Sequence, residues 1–215
     1  IPAAARLADP GREMPLQIYL TESGLGIEQL GENVLASLEA RGRAILVVSE
    51  GFDIGEAGEV ADLFGHAAYG SSQLSVGQAI TNYLNNLTFP VPGKARFQIP
   101  GTDQRHSIVH ASTVDLEEAY RVGVKCADIA REDGSGWMGT ILREPGDDYR
   151  VRYDKVPLEK VALSERSFPS AWIASSRIDV TDDFVRYAKP LIGTEWPEVP
   201  LVDGLPRVTR FAPIH

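Results

Sequence analysis

The chain has 215 residues, of which 43% are hydrophobic and 24% charged, with a net charge of −9 and a pI near 5.0. That balance excludes disorder as the main state, and it excludes a nucleic-acid groove, because backbone phosphates require clustered Lys and Arg. An anionic substrate would have to be held by a few local cations.

No apolar run approaches the roughly 20 residues that a membrane span needs, and no basic and apolar leader opens the chain. The single cysteine, Cys126, cannot pair within the chain, which points to a reducing cytoplasm. Its helical neighbours Val122 and Ile129 predict a buried thiol. Residues 1–8 read as the end of a helix, stopped by the polar turn that carries Pro10 and Gly11.

Residues 16–20, Leu-Gln-Ile-Tyr-Leu, form a short apolar run followed by Thr21 and Glu22. Residues 27–41 place Leu30, Val34, Leu35 and Leu38 at helical spacing, with Gly42 as the stop; Gly31 interrupts the pattern. Residues 44–49 are apolar or small and rich in β-branched types, as in a strand buried on both faces of a parallel sheet. Glu50 and Gly51 follow at once. Strand, helix, strand is thus predicted, with a carboxylate after each strand, where open α/β sheets bind ligands.

Residues 52–72, rich in glycine, read as a mobile surface segment with a short helix at 60–64. Residues 76–87 put Ile80, Tyr83, Leu84 and Leu87 on one helical face, and 94–99 read as a third strand broken by Pro100-Gly101. The longest predicted helix starts at Val114-Asp115 and carries a wide apolar face of Leu116, Ala119, Tyr120, Val122, Cys126 and Ile129; Gly134 and Gly136 stop it. Residues 140–143 and 149–156 form a hairpin, the second strand alternating Tyr149, Val151 and Tyr153 with Arg150, Arg152 and Asp154. A short helix at 158–162 and a helix capped by Thr181, with Asp182 and Asp183 in its first turn, precede a turn at Gly193-Thr194 and a Pro-rich tail.

Several constellations carry little chemistry. Gly134-Ser135-Gly136-Trp137-Met138-Gly139 has the spacing of a dinucleotide loop, but it closes a helix and opens an apolar strand, the reverse of the required context. His106 and His110 stand four apart without a third ligand at a diagnostic spacing, so a metal site is not predicted. His66 reads as a solvated surface residue.

The order of motifs resembles the second half of the phosphofructokinase family, in particular its pyrophosphate-dependent branch. The residues that carry the resemblance are Leu16-Gln17-Ile18-Tyr19-Leu20-Thr21-Glu22, then Val47-Val48-Ser49-Glu50-Gly51, then Ala95-Arg96-Phe97-Gln98-Ile99-Pro100-Gly101 with Gln104-Arg105, then Val114-Asp115. Val156-Pro157-Leu158-Glu159 and Tyr187-Ala188-Lys189-Pro190-Leu191-Ile192-Gly193 complete it. It covers residues 3–210.

The resemblance implies an α/β fold: a three-layer, parallel-sheet phosphofructokinase-like domain over residues 1–147, with a C-terminal hairpin and helix extension over 148–215. It also implies that a donor domain is missing at the N-terminal side. Neither a Gly-Gly-Asp donor loop nor a Thr-Ile-Asp catalytic segment occurs in these residues, so no catalytic residue is predicted and the chain is expected to bind without catalysing.

By the same resemblance Glu50 contacts the sugar of fructose 6-phosphate, and Arg96 and Arg105 hold its phosphate, one of them reaching from a neighbouring subunit of a homo-oligomer. Thr102 stands where the family has an aromatic or imidazole side chain, and Asp103 and Gln104 are placed to compensate. The donor would be pyrophosphate or ATP with Mg²⁺, in glycolysis. The alternative reading is a non-catalytic sugar-phosphate-binding regulatory subunit; a plain structural module is a third.

Overall fold

A computed structural model describes residues 1–55, 75–101, 107–146, 148–162 and 166–207. The glycine-rich segment expected to be mobile, with its short helix at 60–64, lies outside them apart from its first residues. The chain divides into two compact units, residues 1–99 with 166–188, and residues 100–165 with 189–215.

The first unit is built on a parallel pair, β1 (Leu16–Tyr19) and β2 (Ile45–Val48), in register from Leu16 opposite Ile45 to Tyr19 opposite Val48. The crossover between them is α1 (Ile27–Arg41), ended by Gly42 at φ +70°, a left-handed cap that glycine adopts without steric cost. These three elements match the sequence expectation. Burial on β2 does not: its residues are half-buried or exposed, because Leu46 and Val48 pack on the core around Tyr19 while no β2 side chain joins the core on the other face.

Side chains of β1 alternate between two cores, as the strand period requires. Tyr19 joins Leu30, Val34 and Leu38 of α1, Phe52, and Ile80 and Leu84 of α2 (Val76–Asn85). Ile18 and Leu20 face the other way, to Ala3, Val180, Phe184 and Ala188. β1 is therefore covered on both faces, by α1 and α2 on one and by a 3-10 helix over Pro2–Ala8 and α4 (Asp182–Ala188) on the other. This is a three-layer α/β arrangement.

The opening segment is a 3-10 helix held by its arginine. Arg6, 1% exposed, donates to Asp179 Oδ1 at 2.9 Å, Asp9 Oδ2 at 2.9 Å, the Asp9 carbonyl at 3.1 Å and the Leu16 carbonyl at 3.2 Å. A buried guanidinium is tolerable only when so satisfied. Phe168, Trp172 and Phe184 close that side with ring centroids 5.3 to 5.7 Å apart.

The expected strand over 94–99 forms no ladder with any of the described residues. The backbone groups of Ala95 are taken by a side chain instead: Asn85 Oδ1 accepts its N–H at 2.8 Å and Asn85 Nδ2 donates to its carbonyl at 3.1 Å. Apart from half-buried Ala95, residues 94–99 are exposed.

In the second unit α3 (Thr113–Glu132) runs into the antiparallel hairpin β3 (Trp137–Arg143) and β4 (Val151–Pro157). The expected boundary between 147 and 148 falls inside this hairpin, whose strands belong to one unit. Ser112 caps α3 by accepting the Asp115 N–H at 3.2 Å. The expected apolar face is only partly used: Ile129 is buried, whereas Leu116 is 40% and Tyr120 70% exposed. Cys126 is exposed rather than buried, because it sits on the rim of the α3 contact with β3. A small hairpin, β5 (Leu201–Val202) with β6 (Leu205–Pro206), lies in the tail.

Candidate functional site at the carboxyl end of the parallel pair

Chain geometry concentrates polar groups where β1 and β2 end. The Ser49 N–H donates to the Tyr19 carbonyl at 2.9 Å, and the Phe52 N–H to the Ser49 carbonyl at 3.1 Å. Residues 49–52 are thus a β-turn with both ends fixed. Phe52 is buried edge-on to Tyr19, with ring centroids 5.5 Å apart at 75°, and Glu50 and Gly51 form the turn's central pair.

Glu50 is exposed and has no hydrogen-bond or ion-pair partner among the described residues. Beside it the Thr21 hydroxyl lies 3.4 Å from that of Ser49. A Cβ on Gly51 would stand 3.0 Å from Thr21 Oγ1, so glycine is what allows this close approach. The end of the pair offers a free carboxylate and two hydroxyls.

Glu22, the carboxylate after β1, serves another purpose. Its Oε1 accepts the Phe168 N–H at 2.7 Å, tying down the 166–188 segment. Tyr19 beneath the site has its phenol pushed up to about 12 by burial, so it stays neutral, and it donates to Gln17 Oε1 at 2.9 Å.

Arg96 belongs to the same unit, on the segment that Asn85 holds. It is exposed, as is Lys94, and neither is ion-paired among the described residues. Gly93, Lys94, Ala95 and Arg96 line an open surface depression. Thr102, Asp103, Gln104 and Arg105 lie outside the described residues, as do His66 and His106. Of the six expected site residues, the structure therefore describes Glu50 and Arg96, both solvent-facing and free.

Sequence reading missed Asn85, Thr21 and Ser49. A helix-terminal Asn gives no local signal for a bond ten residues on; the hydroxyls were readable as the residues closing each strand. Among the described residues no group of three His, Cys, Asp or Glu side chains could hold a metal ion.

No family model matches the chain. Individual relatives do. The pyrophosphate–fructose 6-phosphate 1-phosphotransferase of Rhodospirillum rubrum is 32% identical over 191 residues, 86% of this chain and 46% of that protein. The crystal structure of a pyrophosphate-dependent phosphofructokinase from Marinobacter aquaeolei superposes with a TM-score of 0.73 at 28% identity, over 96% of this chain and 47% of that one. The chain belongs to the phosphofructokinase family. It matches the C-terminal part of such proteins and spans about half the length of the relatives it matches. A sulfofructose kinase of Alkalicoccus urumqiensis is also similar, 26% identical over 161 residues, 74% of this chain and 40% of that protein.

Family membership agrees with the layered fold. It also suits the position of Glu50, since α/β sheets bind ligands beyond the carboxyl ends of their strands.

Proposed function

We propose that this phosphofructokinase-family chain is the sugar-phosphate-binding part of an enzyme that transfers a phosphoryl group from pyrophosphate, with ATP as the alternative donor, to the 1-hydroxyl of fructose 6-phosphate. The observation that carries the reading is the free carboxylate of Glu50, held at the centre of a fixed turn at the carboxyl end of the parallel pair, in a chain whose relatives are named for this reaction.

A carboxylate accepts hydrogen bonds from sugar hydroxyls, and a planar guanidinium grips phosphate oxygens bidentately. Glu50 takes the first role; Arg96 and Arg105 take the second, one of them from a neighbouring copy in a homo-oligomer. The family resemblance assigns Thr102, Asp103 and Gln104 to the same site. An in-line transfer needs a base for the acceptor hydroxyl and charge neutralisation on the donor. By the family resemblance these parts, with Mg²⁺, belong with the donor-binding portion.

No helix among the described residues is long and apolar enough to cross a membrane, in keeping with a cytoplasmic glycolytic enzyme. A second reading changes the sugar. The sulfofructose kinase relative and the small Thr102 side chain favour an acceptor that differs from fructose 6-phosphate at its anionic end.

Calorimetric titration of the full chain with fructose 6-phosphate tests both. The expected result is binding that Arg105→Ala and Glu50→Gln each weaken without unfolding the protein, by roughly tenfold or more, as for charged groups that contact ligand directly. Unchanged affinity in Arg105→Ala would overturn the assignment. Preference for sulfofructose would favour the second reading.

A further inference from the structure

The segment carrying Arg96 joins no sheet among the described residues, yet it is fixed at the residues on either side of the arginine. On one side, the terminal amide of Asn85, the last residue of α2, accepts the Ala95 N–H at 2.8 Å and donates to the Ala95 carbonyl at 3.1 Å. That pairing satisfies both backbone groups of one residue, as a neighbouring strand would. On the other side, the Phe97 ring lies against Gly77 of the same helix, so closely that a Cβ there would stand 2.8 Å from Phe97 Cδ2. Ala95 is half-buried against the core around Tyr19, while Lys94 and Arg96 are exposed. With the Ala95 peptide clamped and the Phe97 ring, itself 44% exposed, resting on Gly77, the exposed Arg96 is carried on a backbone held on both sides.

Only a side chain with both an acceptor and a donor on one planar group can clamp a single residue's N–H and C=O. Among side chains that fit a helix terminus at this reach, Asn provides both. Ala provides neither, and Asp provides the acceptor alone. The clamp is itself exposed to solvent, where a neutral hydrogen bond contributes little to global stability. Its value lies in removing the freedom of the backbone that carries an exposed arginine, freedom that would otherwise be lost on ligand binding.

We propose that Asn85 is a positioning residue for Arg96: its side-chain amide holds the Ala95 peptide groups so that the Arg96 guanidinium is presented in advance to the phosphate of a sugar phosphate. The inference rests on the reading of Arg96 as a phosphate ligand given above.

A double-mutant cycle of Asn85→Ala and Arg96→Ala in the full chain, read as the dissociation constant for fructose 6-phosphate by calorimetry beside the melting temperature, tests it. Asn85→Ala alone is expected to weaken binding roughly tenfold, below the hundredfold that a 1 Å misplacement can cost. In the Arg96→Ala background it should weaken binding no further, and Asn85→Asp should retain part of the affinity. Equal weakening by Asn85→Ala in both backgrounds would mark a merely structural residue and overturn the proposal. So would unchanged affinity in Asn85→Ala when Arg96→Ala weakens binding. If Arg96→Ala itself changes nothing, the phosphate role of Arg96 fails and takes the role of Asn85 with it. If Asn85→Ala does not fold, Asn85→Asp carries the same cycle.

Discussion

Asp9 shows how one carboxylate can make a protein acid-sensitive. Burial pushes its carboxyl up, but the Glu13 and Met14 N–H donors at 2.9 and 3.1 Å and the Arg6 guanidinium pull it down further, and the net effect lies below the ordinary 3.8. The folded state therefore holds this proton more loosely than the unfolded chain. Unfolded molecules bind more protons in the acid range, so stability rises with pH there. The contribution is complete above about pH 5 and is lost as pH falls through the unfolded and then the folded value. In urea unfolding between pH 3 and 6, Asp9→Asn should flatten the acid side of the stability curve; a curve parallel to that of the wild type would remove Asp9 from the account. Arg6 and Asp179 form the rest of this cluster. Nothing in Arg6-Leu7-Ala8-Asp9 announces it, since the second carboxylate lies 173 residues away.

Elements were legible where local chemistry decides them. The limits of α1 follow from apolar spacing and a glycine stop, β1 from a short apolar run and β2 from a short run rich in β-branched residues. The hairpin of β3 and β4 follows from alternation. Residues 94–99 were read as a strand ended by Pro100-Gly101, but the backbone groups of Ala95 are taken by the Asn85 side chain, a long-range partner that no local pattern reveals. The apolar stripe of α3 was legible, but the extent of its cover was not, because cover depends on what the rest of the fold brings to it. Four of the six expected site residues fall outside the described residues, so the site was legible as a strand end more than as a constellation.

Gly31 illustrates a signal with two meanings. In sequence it weakens a helix by roughly 1 kcal/mol relative to alanine. In the structure a Cβ there would meet the Tyr83 ring at 2.9 Å, its hydroxyl at 3.0 Å and Leu87 at 3.2 Å, so the glycine lets α1 and α2 approach. Overpacking at such a contact costs about 1–3 kcal/mol. Gly31→Ala is thus expected to lower stability by about 1 kcal/mol net, read as a lower urea midpoint with an unchanged slope; a gain in stability would show that Tyr83 moves aside freely.

At the scale of the molecule the first compact unit is discontinuous: residues 166–188 return to a unit begun by residues 1–99. The returning segment supplies Val180, Phe184 and Ala188 to the core under Ile18 and Leu20, a bond from the Ile18 N–H to the Ile178 carbonyl at 2.8 Å, and the Asp179 partner of Arg6. A chain shortened to end at residue 165 should leave that face of β1 bare and should bind a hydrophobic dye and aggregate. If instead it unfolds as cooperatively as the full chain, the 166–188 segment is dispensable.

The same discontinuity sets an order of events on the ribosome. Residues 1–55 can emerge and form β1, α1 and β2 early, with one face closed by α1 and the other waiting for more than a hundred further residues. At synthesis rates of about 5–20 residues per second that wait lasts roughly 5–30 seconds. During it the face of β1 that Val180, Phe184 and Ala188 later cover stays open, and Arg6 has Asp9 and the Leu16 carbonyl to bond but still lacks Asp179.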